Sequence, residues 1–370
     1  MSTAPQINAL LAERISAGDF PSAVYLIGQK GQPIFSDAIG DAVVQPQKIP
    51  ATVNTIYDLA SLTKPLITGL LCSRLVESGD LVLDKPVSKY LEEFEGTGAQ
   101  LITVRQLLTH SAGLPAWRPL YMLAAGPERV LEVIANTDLE YEPGTRVVYS
   151  DLGFITLGLL LERLSGKKII ELAQTEIFQP LNLSQTFFNP EMAMQTGIAA
   201  CEVGNAHERE TCEKAGAGEY TNWRQELIWG QVHDGNAFFL GGVAGHAGLF
   251  STAANTLVLA NQFLPGRSQL LKSTTCELFC TNMTEGLNEA RSIAWQLAAT
   301  KDSTAGPSLP SDSFGHTGFT GTSCWIDPQH ERVFILLTNR THLHALPFTN
   351  INGVRRQFHT LAVDALEETS

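Results

Sequence analysis

Ser61 and Lys64, in Tyr57-Asp58-Leu59-Ala60-Ser61-Leu62-Thr63-Lys64-Pro65-Leu66, are spaced for nucleophilic chemistry. On a helical turn, residues three apart share a face, so the amine can reach the hydroxyl. A serine hydroxyl attacks a carbonyl only once a base takes its proton. Lys64 is suited to that task if burial and nearby positive groups lower its pKa, since desolvation disfavours the ammonium. The same tetrapeptide also reads as a plain helix start, with Ser61 an N-cap and Lys64 a solvated first-turn lysine. The rest of the chain has to choose.

Leu66, Ile67, Leu70, Leu71, Leu75 and Val76 recur at helical steps, and Glu77-Ser78-Gly79-Asp80 closes that run. The Pro65 ring would clash with the Ser61 carbonyl, so regular α-helical bonding is not expected to extend upstream through Ser61. Ser61 then sits at a helix mouth, where free N–H groups and the positive dipole end favour a developing oxyanion. Two further clusters follow. Pro143 to Asp151 turns the chain into an apolar helix beginning near Leu152, which Ser150 or Asp151 can cap, and leaves Tyr149 on a short loop. His316-Thr317-Gly318-Phe319-Thr320-Gly321 precedes a strand over 322–326.

Ile7, Leu10, Leu11 and Ile15 mark an amphipathic first helix, followed by strands over 22–28 and 33–39. Residues 61–185 read as mainly helical. Gly241 to Ser251 is rich in glycine and small residues, and helices follow over 254–263 and 273–281. Strands over 322–326 and 332–338 precede a terminal helix over 352–366, and the unbroken apolar run Phe334 to Leu337 marks a central strand. Strands at both ends predict an α+β fold: an antiparallel sheet built from both chain ends, flanked by helices, with an inserted mostly helical domain. The expected partition is 1–75 with 240–370 for the sheet body and 76–239 for the insertion.

The 370 residues are 44% hydrophobic and 17% charged, with a formal net charge of -13. That balance argues against nucleic acid or an anionic membrane as a partner. No stretch is long and apolar enough to span a bilayer, and the first residues lack the charged and apolar regions of a secretory signal, so a cytoplasmic location is expected. The six cysteines form no Cys-x-x-Cys pair, which fits reduced structural thiols.

Ser61-x-x-Lys64, Tyr149-Ser150-Asp151 and His316-Thr317-Gly318, in that order, resemble the penicillin-recognising serine hydrolases. The likeness is to the branch with class C β-lactamases, D-alanyl-D-alanine carboxypeptidases and related esterases and D-amino peptidases. It extends over nearly the whole chain, through Ile102 to Pro115, Gly241 to Ser251 and Trp325 to Arg340. The resemblance implies a catalytic set of Ser61, Lys64 and Tyr149, with the base role shared by the lysine and tyrosine. It implies an oxyanion hole from the N–H groups of Ser61 and Phe319, and a substrate lying along His316, Thr317 and Gly318. Asp151 stands where many relatives have asparagine, and His316 where β-lactamases carry a charged lysine. Both make the pocket less positive and argue against efficient recognition of β-lactam carboxylates, although Asp151 also reads as a simple helix cap.

His233, Asp234 and His246 are candidate pocket-wall residues. No regular His/Cys spacing supplies a metal site, and no cofactor is expected. His342-x-His344 reads as surface polarity sooner than as a ligand pair. Trp117, Trp223, Trp229 and Phe238 are candidates for a cleft lining or for the core. The expected substrate is a small molecule or peptide, best a D-amino-acid-containing peptide or recycled muropeptide. Competing readings are an esterase or transacylase on small esters, a scaffold protein without turnover, and a metal amidase using His233 and Asp234.

Overall fold

The computed structural model describes residues 2–343 and 346–368. Its strands are β1 (Ser22–Gln29), β2 (Gln32–Val43), β3 (Ile49–Pro50), β4 (Tyr57–Asp58), β5 (Thr186–Phe187), β6 (Phe250–Ser251), β7 (Gln296–Leu297), β8 (Phe314–Thr317), β9 (Ser323–Asp327) and β10 (Arg332–Thr338). Seven of them form one antiparallel sheet in the order β3-β2-β1-β10-β9-β8-β7. The two chain ends meet at its centre, where Leu26 pairs with Ile335 and Ile27 with Phe334. Every residue of β10 is buried, as its apolar run predicts.

The helices Pro5–Ser16 and Asn352–Glu368 cover one sheet face through Ile7, Leu11, Phe334, Leu336 and Phe358. The other face continues through Val24, Leu26 and Ile335 into helices from the middle of the chain, joining Leu66, Leu157 and Leu257 in one core. The protein is therefore an α+β fold whose antiparallel sheet comes from both chain ends. β7 pairs with β8 only at Phe314 and Gly315, so the His316–Thr317 end keeps a free edge on that side. A second, three-stranded sheet, β4-β6-β5, ties Tyr57–Asp58 to the glycine-rich segment.

The Ser61 helix differs from expectation. A 3-10 turn spans Ala60–Leu62, a π-helical stretch spans Lys64–Gly69, and only Leu70–Ser78 is α-helical. Pro65 explains this, because it lacks the N–H that an α-ladder would aim at Ser61 O. The wider turn leaves the Leu70 N–H bonding Pro65 O, five residues back. Regular α-helical bonding thus does not extend upstream through Ser61; a 3-10 turn and a π-helical stretch that tolerate the proline take its place.

In the Asp151–Ser165 helix, Ser150 is the cap and accepts the Gly153 N–H. A methyl on Gly158 would stand 2.9 Å from Gly245 Cα, so here the helix lies backbone to backbone on the glycine-rich segment. His342 is buried, not on the surface. It bonds the Val44 N–H through Nε2 and the Cys201 carbonyl through Nδ1, whereas His344 lies outside the described residues. All six cysteines are free. Among the described residues no helix is long and apolar enough to cross a membrane.

Candidate active site

Asp58 builds the turn that presents Ser61. Its buried carboxylate accepts the Ala60 N–H at 2.8 Å on one oxygen and the His233 N–H at 2.7 Å on the other. This holds Ala60 at φ 48, a left-handed conformation that costs a non-glycine residue of the order of 1 kcal/mol. Ser61 opens onto a cleft of about 730 Å³, also lined by Trp117, Tyr149, Asp151 and His316.

Lys64 is fully buried. Its ammonium donates to Ser61 Oγ at 3.0 Å and to the His246 carbonyl at 3.1 Å. It also forms a 2.6 Å ion pair with Asp151 Oδ1. Burial pulls the Lys64 pKa down, but Asp151 and then Tyr149 outweigh it and hold it above the ordinary lysine range. A base role for Lys64 asks for burial and positive neighbours to depress its pKa, and the Asp151 carboxylate reverses that sign. Asp151 is therefore the buried lysine's counter-ion as well as a cleft residue, and no mere cap.

Tyr149 is half-buried in the cleft wall, with Lys64 Nζ 4.9 Å from its ring centre. Its ring lies tilted against His110, with ring centres 4.6 Å apart, and approaches His316 at 5.7 Å. His110 Nδ1 accepts the Ser150 N–H and its carbonyl accepts the Val148 N–H, so one histidine clamps the chain on both sides of Tyr149. The Tyr149 hydroxyl has no aligned hydrogen-bond partner among the described residues. Burial raises its pKa, Lys64 opposes, and the net is above the usual tyrosine value. Arg291 lies 6.0 Å from the same ring and pairs with Glu289 at 2.7 Å. Sequence reasoning took His110 only as part of a scaffold turn and missed Arg291.

The 318–322 turn is fastened to the residues that lead into Ser61. Thr320 Oγ1 donates to Asp58 O at 2.7 Å and Thr322 Oγ1 to Leu59 O at 2.9 Å. Gly318 N–H bonds Thr322 O, and a methyl on Gly318 would stand 3.3 Å from Ala60 Cβ. The Phe319 N–H takes no part in these bonds, while its carbonyl accepts Arg340 Nε at 2.7 Å. His316 donates from Nδ1 to Thr317 O, and burial, then Lys64 and Arg291, push its pKa well below the ordinary histidine value. It is a neutral ring at neutral pH. The pocket is nonetheless not short of cations, because Arg340 and Arg355 line it too. Arg355 Nη2 donates to Gly318 O and Thr322 O, and burial with Arg340 nearby lowers its pKa to about 9, so it stays charged.

The candidate wall residues divide in two. His246 pairs with Asp234 at 2.9 Å while its carbonyl holds Lys64. His233 lies 3.2 Å from Glu202 and stacks on Phe319 at 5.5 Å. Among the described residues no three His, Cys, Asp or Glu side chains converge as metal ligands. Glu202 and Glu208, both buried, were invisible to sequence reasoning because neither sits in a motif. Of the aromatic candidates, Trp117 lines the cleft, Trp223 and Phe238 line a smaller cavity, and Trp229 packs into a satellite core.

The family model described as Beta-lactamase matches residues 7–354. An Escherichia coli (strain K12) protein provisionally named D-alanyl-D-alanine carboxypeptidase is 32% identical over 366 residues, 91% of this chain and 82% of that protein. The Bacillus subtilis (strain 168) N-acetylmuramyl-L-alanine amidase is 32% identical over 366 residues, covering 90% of this chain and 80% of its own length. Among solved structures, EstCE1, a hydrolase with promiscuous acyltransferase activity, superposes with a TM-score of 0.74 at 24% identity, over 96% of this chain and 98% of that one.

Proposed function

The chain belongs to the Beta-lactamase family, whose members are serine hydrolases, and on that premise we propose that it cleaves a small amide through an acyl-Ser61 intermediate. One observation carries the reading: the buried Lys64 ammonium 3.0 Å from Ser61 Oγ. A lysine is not held at that depth for solvation, and its partners are a hydroxyl, a carbonyl and one carboxylate.

In this reading Ser61 Oγ attacks the substrate carbonyl, and the oxyanion meets the N–H groups of Ser61 and Phe319. The Ser61 proton passes through Lys64 and Tyr149 to the leaving nitrogen; when water then hydrolyses the acyl-enzyme, its proton passes through the same pair back to Ser61 Oγ. Lys64 rests as an ammonium held by Asp151 at 2.6 Å, so it acts as a base only once that proton has been lost to solvent. Thr317 and Gly318 border the substrate, and Arg355 with Arg340 offers charge to a carboxylate on the leaving group.

The substrate class we favour is a D-amino-acid-containing peptide or a recycled muropeptide. The names of the Escherichia coli and Bacillus subtilis relatives, each concerned with such amides, support it. The neutral His316 favours a second reading, a carboxylesterase on small esters without a carboxylate. Intact-mass analysis after a fluorophosphonate or a penicillin should add one adduct to the wild type and none to Ser61→Ala. Equal labelling of both, or ester turnover by Ser61→Ala at the wild-type rate, overturns the acyl-enzyme. A panel of p-nitrophenyl esters, D-Ala-D-Ala peptides, muropeptides and nitrocefin then separates the substrate classes.

A further inference from the structure

Glu208 has no task in the reaction above. It sits on the helix Ala206–Ala215, 8% exposed, and lines both the catalytic cleft and a side cavity of about 310 Å³. One carboxylate oxygen accepts the Gly235 N–H at 2.7 Å. The other, Oε2, is buried with no aligned partner among the described residues, and the Tyr121 hydroxyl is a polar neighbour of the carboxylate. A methyl on Gly235 would collide with that oxygen, so the glycine gives the carboxylate its room. Leaving such an oxygen dry costs on the order of 1–3 kcal/mol, more if it is charged.

Its surroundings lean negative. Asp234 lines the same cleft, and Glu202 lies behind it against His233. The opposing cations are His233 and Arg224. The Arg224 guanidinium is spent on Asn205 Oδ1 and the carbonyls of Val232 and His233, with no hydrogen bond to Glu208. Burial and then Asp234 raise the Glu208 pKa to about 7, with His233 opposing. The side cavity adds aromatic walls: Tyr121, Tyr220 and Trp223 pack pairwise with ring centres 4.9–5.7 Å apart. A buried carboxylate beside a ring cluster is the combination that recognises an organic ammonium.

We propose that Glu208, with Asp234 and the Tyr121–Tyr220–Trp223 cluster, forms a subsite for a primary ammonium of the substrate. The inference rests on the reading of the cleft as a peptide-hydrolase site. It gives the substrate two charged handles, a carboxylate toward Arg355 and an ammonium toward Glu208. The ammonium comes either from a free α-amine or from the side chain of a diamino acid.

The test is equilibrium binding to Ser61→Ala, which needs no turnover. D-alanine amide presents the α-ammonium, Nα-acetyl-D-lysine amide the side-chain ammonium, and Nα,Nε-diacetyl-D-lysine amide neither. At least one ammonium probe should bind about tenfold or more tighter than the diacetyl probe, and adding Glu208→Gln should abolish the difference. Which of the two binds identifies the source. Trp223→Leu in the same background should also weaken the preferred probe, and it reads the subsite if Glu208→Gln does not fold. Equal binding of all three, binding of none, or a preference that survives both variants overturns the subsite. Failure of the acyl-enzyme would appear separately, as absence of the Ser61 adduct.

Discussion

Lys64 and His233 are both buried, both able to carry a proton, and both beside a carboxylate, at 2.6 Å from Asp151 and 3.2 Å from Glu202. Both sit in clusters that line one cleft. Around Lys64 there is a hydroxyl at hydrogen-bond distance, a phenol overhead, and a fastened turn whose Phe319 N–H has no partner among the described residues. Around His233 there is more carboxylate, its own N–H is spent on Asp58, and among the described residues its side chain meets Glu202 and Phe319 and no hydroxyl at hydrogen-bond distance. A buried ion pair is therefore not the mark of chemistry in this molecule. What distinguishes the first cluster is the reacting oxygen and the donors assembled around it.

Removing the reacting side should have the largest effect. Lys64→Met is expected to lower acylation by about a thousandfold. It also strands Asp151, which should destabilise the fold by roughly 3–5 kcal/mol. The double variant Lys64→Met/Asp151→Asn should recover most of that stability and none of the rate. Recovery of rate would break the distinction between the clusters. Thr322→Val should cost about tenfold in kcat by freeing the turn that carries the Phe319 N–H, with little change in melting temperature. Glu202→Gln should do the reverse, lowering the melting temperature by a few degrees while changing acylation by less than about tenfold.

Asp151→Asn sharpens the comparison through pH. Asp151 raises the Lys64 pKa, and a step that needs the neutral amine gains rate as pH rises through that pKa. Without the carboxylate the pKa falls, so the acid limb of kcat/KM should move to lower pH; an unmoved limb would exclude Lys64 from the rate-limiting proton transfer. The smallest effect lies outside both clusters. Burial holds His359 near a pKa of about 4, below the ordinary value of about 6.5. Between those values the unfolded chain binds a proton that the folded chain refuses, so stability falls as pH drops through that window. His359→Gln should flatten that part of the melting curve against pH.

The sequence displayed the parts whose chemistry is local. Ser61 and Lys64 are one turn apart, Tyr149 precedes a cap, and β10 is apolar along its length. It hid what depends on distant partners. Nothing near Asp151 announces Lys64, and nothing near Thr322 announces Leu59. The π-helical register was hidden too, because Pro65 excludes one hydrogen-bond pattern without naming its replacement. Arg355 was within reach: it shares an apolar stripe with Phe358, His359 and Ala362 on the last helix, and a cation there needs a reason.

The Gly158–Gly245 contact bears on how the protein stops working. Side chains between two elements can repack as they loosen, but two backbones in direct contact have no rotamers to exchange. The helix that brings Asp151 to Lys64 is therefore seated or unseated, with few arrangements between. On heating, the buried charge pair and the packing around it should be lost in one event, with little prior softening of the catalytic rate.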